Sequence, residues 1–305
     1  MPTTLAVTMG DPKGVGPEIV AKAIARGHGK GVIVCGDADL LSATARKLGL
    51  PKASVDVFHI PARESDGGVK YVLGAHELAM HGEVDGIVTG PIRKLAPFRN
   101  GGAAPGHTEL LSEWCGVRPT ATMLLVSPRL RIALVTNHLP LSKVARAITK
   151  DAVLVAIRRT HHALRTQFRI PLPKILVLGL NPHAGESGKL GDEESRAIAP
   201  AVAAARKSGI ACSGPLPADS ALHYARMKGG YDAVIAMYHD QGLIPAKLEG
   251  FGDAVNVSLG LPYVRTSVDH GTAYDIAGKG IAEPDSLIAA IALARKLVVR
   301  TNSRK

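Results

Sequence analysis

Residues 5–26 read LAVTMGDPKGVGPEIVAKAIAR, and they predict a buried strand, a turn and a helix in succession. Leu5–Met9 is a short apolar run that is typical of a strand. Pro17 is suited to the first position of a helix, and apolar residues recur near helical spacing through Glu18–Arg26. The stretch therefore predicts one strand–helix unit, and the same alternation continues along the chain.

Seven more short apolar runs alternate with helical patterns such as Glu193–Ser208. The runs are Val32–Cys35, Gly86–Val88, Met123–Val126, Ile132–Val135, Ile175–Leu178, Ala233–Met237 and Val255–Leu259. This alternation predicts an α/β protein with a largely parallel sheet, and strands that are almost entirely apolar fit a sheet covered on both faces. A length of 305 residues predicts two domains or one large α/β unit.

Composition limits the classes of function. The chain has 37 Lys and Arg against 26 Asp and Glu, a net charge of +11, which favours anionic partners such as phosphorylated metabolites. The basic stretch Lys143–Lys174 contains one aromatic residue, Phe168, whereas nucleic-acid surfaces use several aromatic side chains for stacking. We therefore expect solvated helix faces there, with His161 and His162 exposed, and no nucleic-acid partner.

The expected location is cytoplasmic. No basic segment followed by an apolar one opens the chain, and the three cysteines, Cys35, Cys115 and Cys212, are widely spaced, as in proteins of a reducing compartment. The longest apolar stretches, such as Leu287–Ala294, are far shorter than the ~20 residues of a membrane span, so we expect no membrane partner.

Three of the predicted strands are each followed by a segment that contains a histidine. His138 lies in TNHLPL (136–141), His183 in GLNPHAGE (179–186) and His239 in YHDQGL (238–243). Ligands bind outside the carboxyl ends of the strands in open α/β sheets, and neutral imidazole is a common ligand of zinc-like ions. Three histidines with one open coordination position suit a catalytic metal; separate, hydrogen-bonded histidines are the alternative.

Two further groups of residues suit a nucleotide and a phosphate. The glycine-rich stretch 269–284 combines Gly271, Thr272, Asp275, Gly278 and Gly280; glycines admit a close ligand, and an acid can bind a ribose diol, which favours NAD over NADP. A plain turn before the last helix fits the spacing equally well. The residues that suit a phosphate are His107, Thr108, Lys247, Asn256 and Arg265.

Seven ordered motifs resemble one enzyme family over residues 5–295, the 4-hydroxythreonine-4-phosphate dehydrogenases of vitamin B6 biosynthesis. They are GDPKGVGPE (10–18), GHTE (106–109), NHLPL, GLNPHAGE, GPLPAD (214–219), YHDQGL and RTSVDHGTA (265–273). The glycine-rich stretch also resembles the nucleotide loop of isopropylmalate and isocitrate dehydrogenases. That superfamily has a two-domain α/β/α sandwich fold with the active site in the interdomain cleft, and it lacks the Rossmann phosphate fingerprint, as this sequence does.

The resemblance implies a role for each group of residues. It makes His138, His183 and His239 the ligands of a divalent metal, which we expect to be zinc, with magnesium or cobalt as alternatives. The metal would lie at a homodimer interface, and the last histidine would come from the other subunit. His107, Thr108, Lys247, Asn256 and Arg265 would hold a small phosphorylated substrate. Gly271, Thr272, Asp275, Gly278 and Gly280 would bind NAD or NADP. The domains would be 1–100 with 250–305 for the nucleotide, and 101–249 for metal, substrate and dimerisation.

The implied reaction is oxidation of the secondary alcohol of 4-phosphohydroxy-L-threonine to a 3-oxo acid, which decarboxylates to 3-amino-2-oxopropyl phosphate. Asp240 and Asp219 are candidate proton acceptors. The chain departs from the family at Asn137, where a threonine is frequent, and by a short region around Val55–Lys70. Alternatives are a 4-phospho-threonate or 4-phospho-erythronate dehydrogenase of sugar-acid catabolism, which differs at C2 of the substrate, and a metal-dependent lyase or hydrolase without NAD.

Overall fold

The computed structural model describes residues 3–51, 54–62, 66–93, 97–98, 102–103, 106–227, 230–250 and 254–298. The chain forms two compact units: unit 1 is Met1–Ala121 with Val255–Lys305, and unit 2 is Thr122–Ala254. The sequence placed the first boundary after residue 100 and the last after residue 249. The observed first boundary lies later because Leu110 and Leu111 pack into the core of unit 1.

The strands are short, as in most α/β proteins. They are β1 (Leu5–Thr8), β2 (Val32–Gly36), β3 (Asp56–His59), β4 (Gly86–Thr89), β5 (Pro97–Phe98), β6 (Gly102–Ala103), β7 (Thr122–Val126), β8 (Arg131–Leu134), β9 (Ile175–Leu178), β10 (Cys212–Leu216), β11 (Ala233–Ala236), β12 (Val255–Leu259) and β13 (Val264–Ser267).

Helices follow most of the strands. They are α1 (Gly16–Ala23), α2 (Ala38–Lys47), α3 (Val69–Met80), α4 (His107–Trp114), α5 (Leu141–Ala147), α6 (Lys150–Thr166), α7 (Ala199–Lys207), α8 (Ala218–Arg226), α9 (His239–Glu249) and α10 (Asp285–Leu297). π-helical segments extend α1 through Ile24–His28 and precede α7 at Glu194–Ile198, and a tight helical segment spans Pro182–Gly188.

Each unit has a mostly parallel arrangement of strands. In unit 1 the order is β12-β13-β4-β1-β2-β3, and only β12 runs antiparallel to its neighbour in that series. In unit 2 the order is β10-β9-β11-β8-β7, with β7 antiparallel to β8. Parallel neighbours place their carboxyl ends at one edge, so the segments that follow β8, β9 and β11 leave the sheet on the same side.

All eight predicted strands are confirmed, with bounds that shift by at most one residue. The strands that sequence reasoning missed lack a continuous apolar run. β3 is an edge strand with mostly exposed side chains, and β13 is buried but contains Arg265. The apolar-run criterion finds strands that are covered on both faces. It fails for polar edge strands and for buried strands that contain a charged side chain.

Side-chain hydrogen bonds cap the first turn of two of the helices. Asp37 precedes α2 and accepts hydrogen bonds from the backbone N–H groups of Asp39 and Leu40, both at 2.9 Å. At the start of α6, the side chain of Thr149 accepts a hydrogen bond from the backbone N–H of Ala152, at 3.2 Å. A side-chain cap of this kind stabilises a helix by about 1 kcal/mol.

Apolar side chains form a separate core in each unit. The core of unit 1 includes Val72, Ile87 and Leu110, and that of unit 2 includes Ile132, Leu176 and Val234. The three cysteines are all free thiols, and burial raises the pKa of Cys35 to about 12, so it is a neutral core residue. None of the helices described in the structure is long and apolar enough to cross a membrane.

Candidate active site

The ends of β8 and β11 bring two predicted metal ligands together in unit 2. The rings of His138 and His239 lie 5.6 Å apart between centroids. Thr136 fixes this approach, because its backbone N–H and its hydroxyl both donate to the carbonyl oxygen of Met237, at 3.2 and 2.8 Å. The two histidines thus follow backbone segments that are directly hydrogen-bonded to each other.

His239 also has an oriented ring. Its Nδ1 lies 2.6 Å from Oδ1 of the neighbouring Asp240, an exposed carboxylate. A carboxylate that holds one ring nitrogen fixes the tautomer and leaves Nε2 free to bind a metal ion. The pair therefore has the arrangement expected of a metal-binding histidine and its supporting carboxylate.

His183 lies in an unusual backbone segment after β9. His183, Ala184, Glu186 and Ser187 all have positive φ, between 41° and 57°, and Gly185 has φ 78°. Each non-glycine residue in this region costs roughly 1–2 kcal/mol. Such strain persists only where the surroundings over-determine it, and it is concentrated at functional sites.

Glu194 is the residue that holds this strained segment. Its Oε1 accepts the backbone N–H groups of Leu180 and Asn181, both at 2.8 Å, and its Oε2 accepts Asn181 Nδ2 at 2.9 Å. Asn181 Nδ2 also donates to Glu193, and this hydrogen bond is the main reason why the pKa of Glu193 is lowered. A buried glutamate thus supports the histidine-containing loop.

Gln241 connects the loop after β9 to the helix that begins with His239. Its Nε2 donates to the carbonyl oxygen of Gly179 at 2.8 Å, and its Oε1 accepts Met237 N at 2.7 Å. Sequence reasoning quoted Gln241 within YHDQGL but gave it no role. The available signal was its position two residues after a predicted ligand. Only the fold shows that the amide is partly buried and which two groups it contacts.

The three predicted ligands do not form one cluster within a single chain. Among the described residues, no group of three or more His, Cys, Asp and Glu side chains is placed to hold a metal ion. His183 therefore does not complete the pair formed by His138 and His239, and the three-ligand site stays a prediction. Asp219 is exposed, and its Oδ1 accepts Ser220 N at 2.8 Å at the start of α8.

Arg265 is the main feature of the phosphate-binding set in unit 1. Its side chain is 1% exposed, and its guanidinium donates to Thr89 Oγ1 at 2.6 and 3.2 Å and to Ser258 Oγ at 3.0 Å. It forms no ion pair with any residue that the structure describes. Burial lowers the pKa of Arg265 to about 10, so the group is still a cation at neutral pH.

Three other members of the set lie in the same unit as Arg265, and Thr108 shares a partner with it. Thr108 Oγ1 lies 3.5 Å from Ser258 Oγ, which also accepts from Arg265. His107 Nε2 lies 3.1 Å from the carbonyl oxygen of Gly90. Asn256 has a buried Oδ1 with no hydrogen-bond partner among the described residues. Sequence reasoning missed Thr89 and Ser258, because hydroxyl residues within strands have no distinctive pattern.

Lys247 belongs to the other unit. It lies in the last turn of α9, on the helix that begins with His239. The structure thus divides the predicted phosphate ligands between units 1 and 2, with Lys247 on the same helix as a predicted metal ligand.

The glycine-rich stretch packs along α1 within unit 1. The carbonyl oxygen of Thr272 accepts Val15 N at 2.9 Å, and a Cβ on Gly14 would lie 2.8 Å from that same oxygen. Further along, Gly280 N and Ala282 N donate to Glu18, at 3.2 and 2.9 Å. The loop is therefore attached to the GDPKGVGPE segment at both ends.

Glu18 is a buried acid that sequence reasoning left without a role. Burial by itself would raise its pKa, but hydrogen bonds from Lys22 and from the N–H groups of Ala282 and Gly280 hold the pKa below its ordinary value. Lys22 pairs with Glu18 at 3.0 Å and donates to the carbonyl oxygens of Gly280 and Ala282. This network fixes the backbone of the glycine-rich loop.

A cavity of about 290 Å³ lies beside the loop in unit 1. Its lining includes Lys13, Gly14, Lys47 and Gly278, and Lys47 Nζ donates to the carbonyl oxygen of Gly278 at 2.9 Å. Asp275 is exposed and does not line this cavity. Of the predicted nucleotide-binding residues, Gly278 is therefore the one in the cavity wall.

Comparison with known proteins first gives the class of the fold. An isocitrate dehydrogenase structure from Methylococcus capsulatus aligns over 96% of this chain and 84% of its own, with a TM-score of 0.50 and 16% sequence identity. The predicted isocitrate dehydrogenase-like α/β fold is confirmed.

The family follows from closer relatives. Residues 29–294 match the family described as pyridoxal phosphate biosynthetic protein PdxA. The 4-hydroxythreonine-4-phosphate dehydrogenase of Geobacter metallireducens is 45% identical, over 97% of each chain. A crystal structure of the enzyme with that name from Klebsiella pneumoniae is 38% identical, covers 98% of each chain and has a TM-score of 0.88. The chain belongs to this PdxA family, whose members named here are oxidoreductases, and the resemblance drawn from the motifs is confirmed.

Proposed function

We propose that the protein oxidises the secondary alcohol of 4-phosphohydroxy-L-threonine, with NAD and a divalent metal, to a 3-oxo acid. This acid decarboxylates to 3-amino-2-oxopropyl phosphate in pyridoxal phosphate biosynthesis. One observation carries the proposal: Arg265 is a buried cation whose guanidinium is hydrogen-bonded to hydroxyl groups and forms no ion pair with a described residue, in a chain 45% identical to a named dehydrogenase. The carboxylate of Glu109 interacts with it only electrostatically. A buried charge needs a counter-charge, and a substrate phosphate supplies it.

The phosphate-binding role follows from the donors around Arg265. Three of its five N–H groups are hydrogen-bonded to Thr89 and Ser258, which leaves two for a ligand. His107 and Thr108 add donors at the start of α4 in unit 1. Lys247, the point charge that the sequence predicts for the phosphate, lies on α9 of unit 2. By fixing the phosphate, these residues orient the distant alcohol carbon for reaction.

The metal site would be formed by His138, His183 and His239. In the shared site, His138 and His183 of one subunit would be joined by the partner subunit's His239. The carboxylate of Asp240 on His239 Nδ1 suits a ligand of a divalent ion such as zinc, with magnesium or cobalt as alternatives. When bound, such an ion lowers the pKa of a coordinated alcohol and stabilises an enolate. Within the protein, Glu194 and Gln241 keep the histidine-bearing segments in place.

The nicotinamide cofactor, NAD or NADP, would bind beside the glycine-rich loop formed by Gly271, Thr272, Asp275, Gly278 and Gly280. The cavity next to Gly278 fits an anionic ligand, because Lys13 and Lys47 line it and the buried Glu18 is already neutralised by Lys22. The cofactor supplies the hydride acceptor. Asp275, exposed on the loop, would bind a ribose diol.

Asp240 and Asp219 are the two candidate proton acceptors in this proposal. Asp240 is exposed and hydrogen-bonded to His239 Nδ1, so its carboxylate also orients a predicted metal ligand. The second candidate from the sequence, Asp219, accepts a hydrogen bond from Ser220 N, which suits a role in starting α8.

A homodimer with a shared site is consistent with the surface of unit 2. Ile244 and Leu248 on α9 are 59% and 83% exposed, and Tyr224 on α8 is 57% exposed. Large apolar side chains exposed on both of these helices suit a protein interface on unit 2, and α9 is the helix that begins with His239. We expect Leu248→Glu to convert the dimer to a monomer in light scattering; an unchanged mass would contradict this interface. The cytoplasmic location stays a prediction.

The decisive experiment is a paired substrate assay. Purified protein is incubated with NAD and either 4-phosphohydroxy-L-threonine or 4-phospho-threonate, with zinc, with magnesium, and after treatment with a chelator. We expect NADH to form with the first substrate and to disappear after metal removal. NADH formation only with 4-phospho-threonate would assign the alternative dehydrogenase. Full activity of metal-free protein would contradict the metal-ligand role, and failure to bind NADH would favour a lyase or hydrolase.

A further inference from the structure

An exposed tyrosine in the glycine-rich stretch has no role in the proposed site. Tyr274 lies between Thr272 and Asp275, and it is 48% exposed. Its hydroxyl nevertheless donates to Oδ2 of Asp11 at 2.6 Å, and it also interacts with Thr272 and Arg93. The distance to Asp11 is typical of a hydrogen bond to an ionised carboxylate, which is roughly twice as strong as one between neutral groups. Tyr274 is therefore fixed at its hydroxyl end, although about half of the residue stays accessible.

Asp11 is suited to fix this hydroxyl. It is 2% exposed, and its Oδ1 accepts the backbone N–H of Lys13 at 2.9 Å. Its own backbone N–H donates to the carbonyl oxygen of Pro91 at 2.8 Å. Because both the main chain and the side chain of Asp11 have other partners, its carboxylate keeps its place without help from Tyr274.

The glycine-rich loop is attached to the rest of unit 1 by other contacts. The backbone N–H of Val15 donates to the carbonyl oxygen of Thr272, and two backbone N–H groups further along the loop donate to Glu18. These contacts hold both ends of the loop. The hydrogen bond between Tyr274 and Asp11 thus adds a fixed direction for one aromatic side chain.

This hydrogen bond lies at the carboxyl edge of the strands of unit 1. Asp11 follows β1 and Pro91 follows β4, and these two strands are parallel neighbours. Ligands bind at this edge of open α/β sheets. Thr89, two residues before Pro91, accepts a hydrogen bond from Arg265 at 2.6 Å. Tyr274 is therefore connected through Asp11 to the segment that also holds the predicted phosphate-binding arginine.

The other end of the loop contacts different groups. Gly278 lies in the wall of the cavity of about 290 Å³, together with Lys13 and Lys47. Lysine side chains suit the phosphates of a dinucleotide. The nicotinamide ring, by contrast, must lie next to the reacting carbon of the substrate for hydride transfer. Tyr274, with its link towards Arg265, is placed for contact with that part of the cofactor.

We propose that Tyr274 is a cofactor-binding residue whose ring stacks on the nicotinamide ring, and that Asp11 is the residue that positions it. This inference rests on the proposed function, because it requires NAD or NADP as the cofactor. An aromatic side chain packs on a planar ring in an offset arrangement. A side chain that is already fixed by a hydrogen bond loses little further freedom when the ligand binds, and this preorganisation favours affinity.

The test compares NADH with ADP-ribose, which lacks the nicotinamide ring. Dissociation constants of both ligands are measured by isothermal titration calorimetry with the purified full-length protein. We expect Tyr274→Leu to weaken NADH binding about tenfold, a loss typical of one stacking contact, and to leave ADP-ribose binding unchanged. Tyr274→Phe keeps the ring but loses the hydrogen bond to Asp11, so NADH binding should weaken about threefold.

Phe58→Leu is the matched control, because Phe58 is an aromatic residue of unit 1 that is 40% exposed on the edge strand β3. It should leave the affinity for both ligands unchanged. Equal weakening of NADH and ADP-ribose binding by Tyr274→Leu would overturn the proposal, since it would show that Tyr274 only holds the loop. Unchanged NADH binding in Tyr274→Leu would overturn it as well, and wild-type affinity in Tyr274→Phe would overturn the role of Asp11.

The wild-type protein separates this inference from the proposed function. Wild-type protein that binds neither NADH nor ADP-ribose would contradict the proposed function itself, and the inference would fall with it. Wild-type protein that binds NADH, with a Tyr274→Leu variant that binds it equally well, would contradict the role of Tyr274 alone.

Discussion

The predicted phosphate site of unit 1 and the histidine edge of unit 2 are built in different ways. Arg265 is buried and held by hydrogen bonds from its own unit before any ligand arrives. His138 and His183 are exposed, and His183 lies in a strained backbone segment. The first region is preorganised within the fold. The second has its predicted metal ligands at the surface of unit 2, and only two of the three approach each other within one chain.

This difference indicates what each region needs for completion. A buried guanidinium keeps its position without a ligand because its hydrogen bonds and packing are local, so an anion adds charge balance to an existing site. Exposed imidazoles gain a fixed arrangement only through a bound cation and, in our proposal, a second subunit. Variants in the two regions should therefore fail in different ways.

The largest effect should come from His239→Gln. In our proposal, loss of this ligand would remove the ion that acidifies the alcohol, a contribution of several kcal/mol, so turnover should fall about a thousandfold or more. Zinc at 100 times its Kd should stabilise the wild-type protein by ~2.7 kcal/mol and leave the variant unchanged, as measured by thermal unfolding. His81→Gln, an exposed histidine on unit 1, is the control. Normal turnover with normal metal content in His239→Gln would remove this residue from the metal site.

Arg265→Met should have the next largest effect and should separate binding from stability. Removing one partner of a buried charge pair costs about 2–5 kcal/mol, so kcat/KM should fall between about thirtyfold and a few thousandfold, mainly through KM. The Tm should be unchanged or higher, because the replacement is apolar and similar in volume. Arg131→Met, a partly buried arginine of unit 2, should leave KM unchanged. An unchanged KM in Arg265→Met would refute the phosphate role.

Gln241→Ala tests how the histidine edge is positioned. The variant loses the link between Gly179 and Met237, so metal affinity should fall about 10- to 100-fold while KM for the phosphorylated substrate stays constant. Gln167→Ala at the end of α6 is the matched control. Equal losses of metal affinity in both variants, or a change confined to KM, would show that Gln241 does not position the ligands.

The smallest effect concerns stability in unit 1 and depends on pH. Because the folded pKa of Glu18 is lowered, its ionised form stabilises the protein above the ordinary value of about 4.3, and this contribution is lost as the pH falls through the lowered pKa. Glu18→Gln should therefore cost about 1–2 kcal/mol at pH 7 and less at pH 3, measured by urea unfolding. Glu77→Gln, an exposed acid on α3, should show no such trend. A pH-independent difference for Glu18→Gln would exclude the ionised network.

Local sequence pattern was sufficient to predict the strands and the family. Apolar runs predicted eight strands, because a strand buried on both faces is apolar at consecutive positions. Ordered motifs predicted the family, because each motif is a short run of neighbouring residues. The same reading gave no role to Gln241 and Glu194. Their importance lies in partners up to 62 residues away in the chain, such as Gly179 for Gln241, and no local pattern encodes such a partner.

The sequence by itself determined the α/β class, the family and the residue types that suit a metal, a phosphate and a nucleotide. Only the tertiary structure decided that Arg265 is buried without an ion pair to any described residue, that the rings of His138 and His239 lie 5.6 Å apart, and that the domain boundary follows Ala121. The reason is physical: chemical identity and periodicity are written locally, whereas burial, charge balance and distance depend on which strand ends the fold brings side by side.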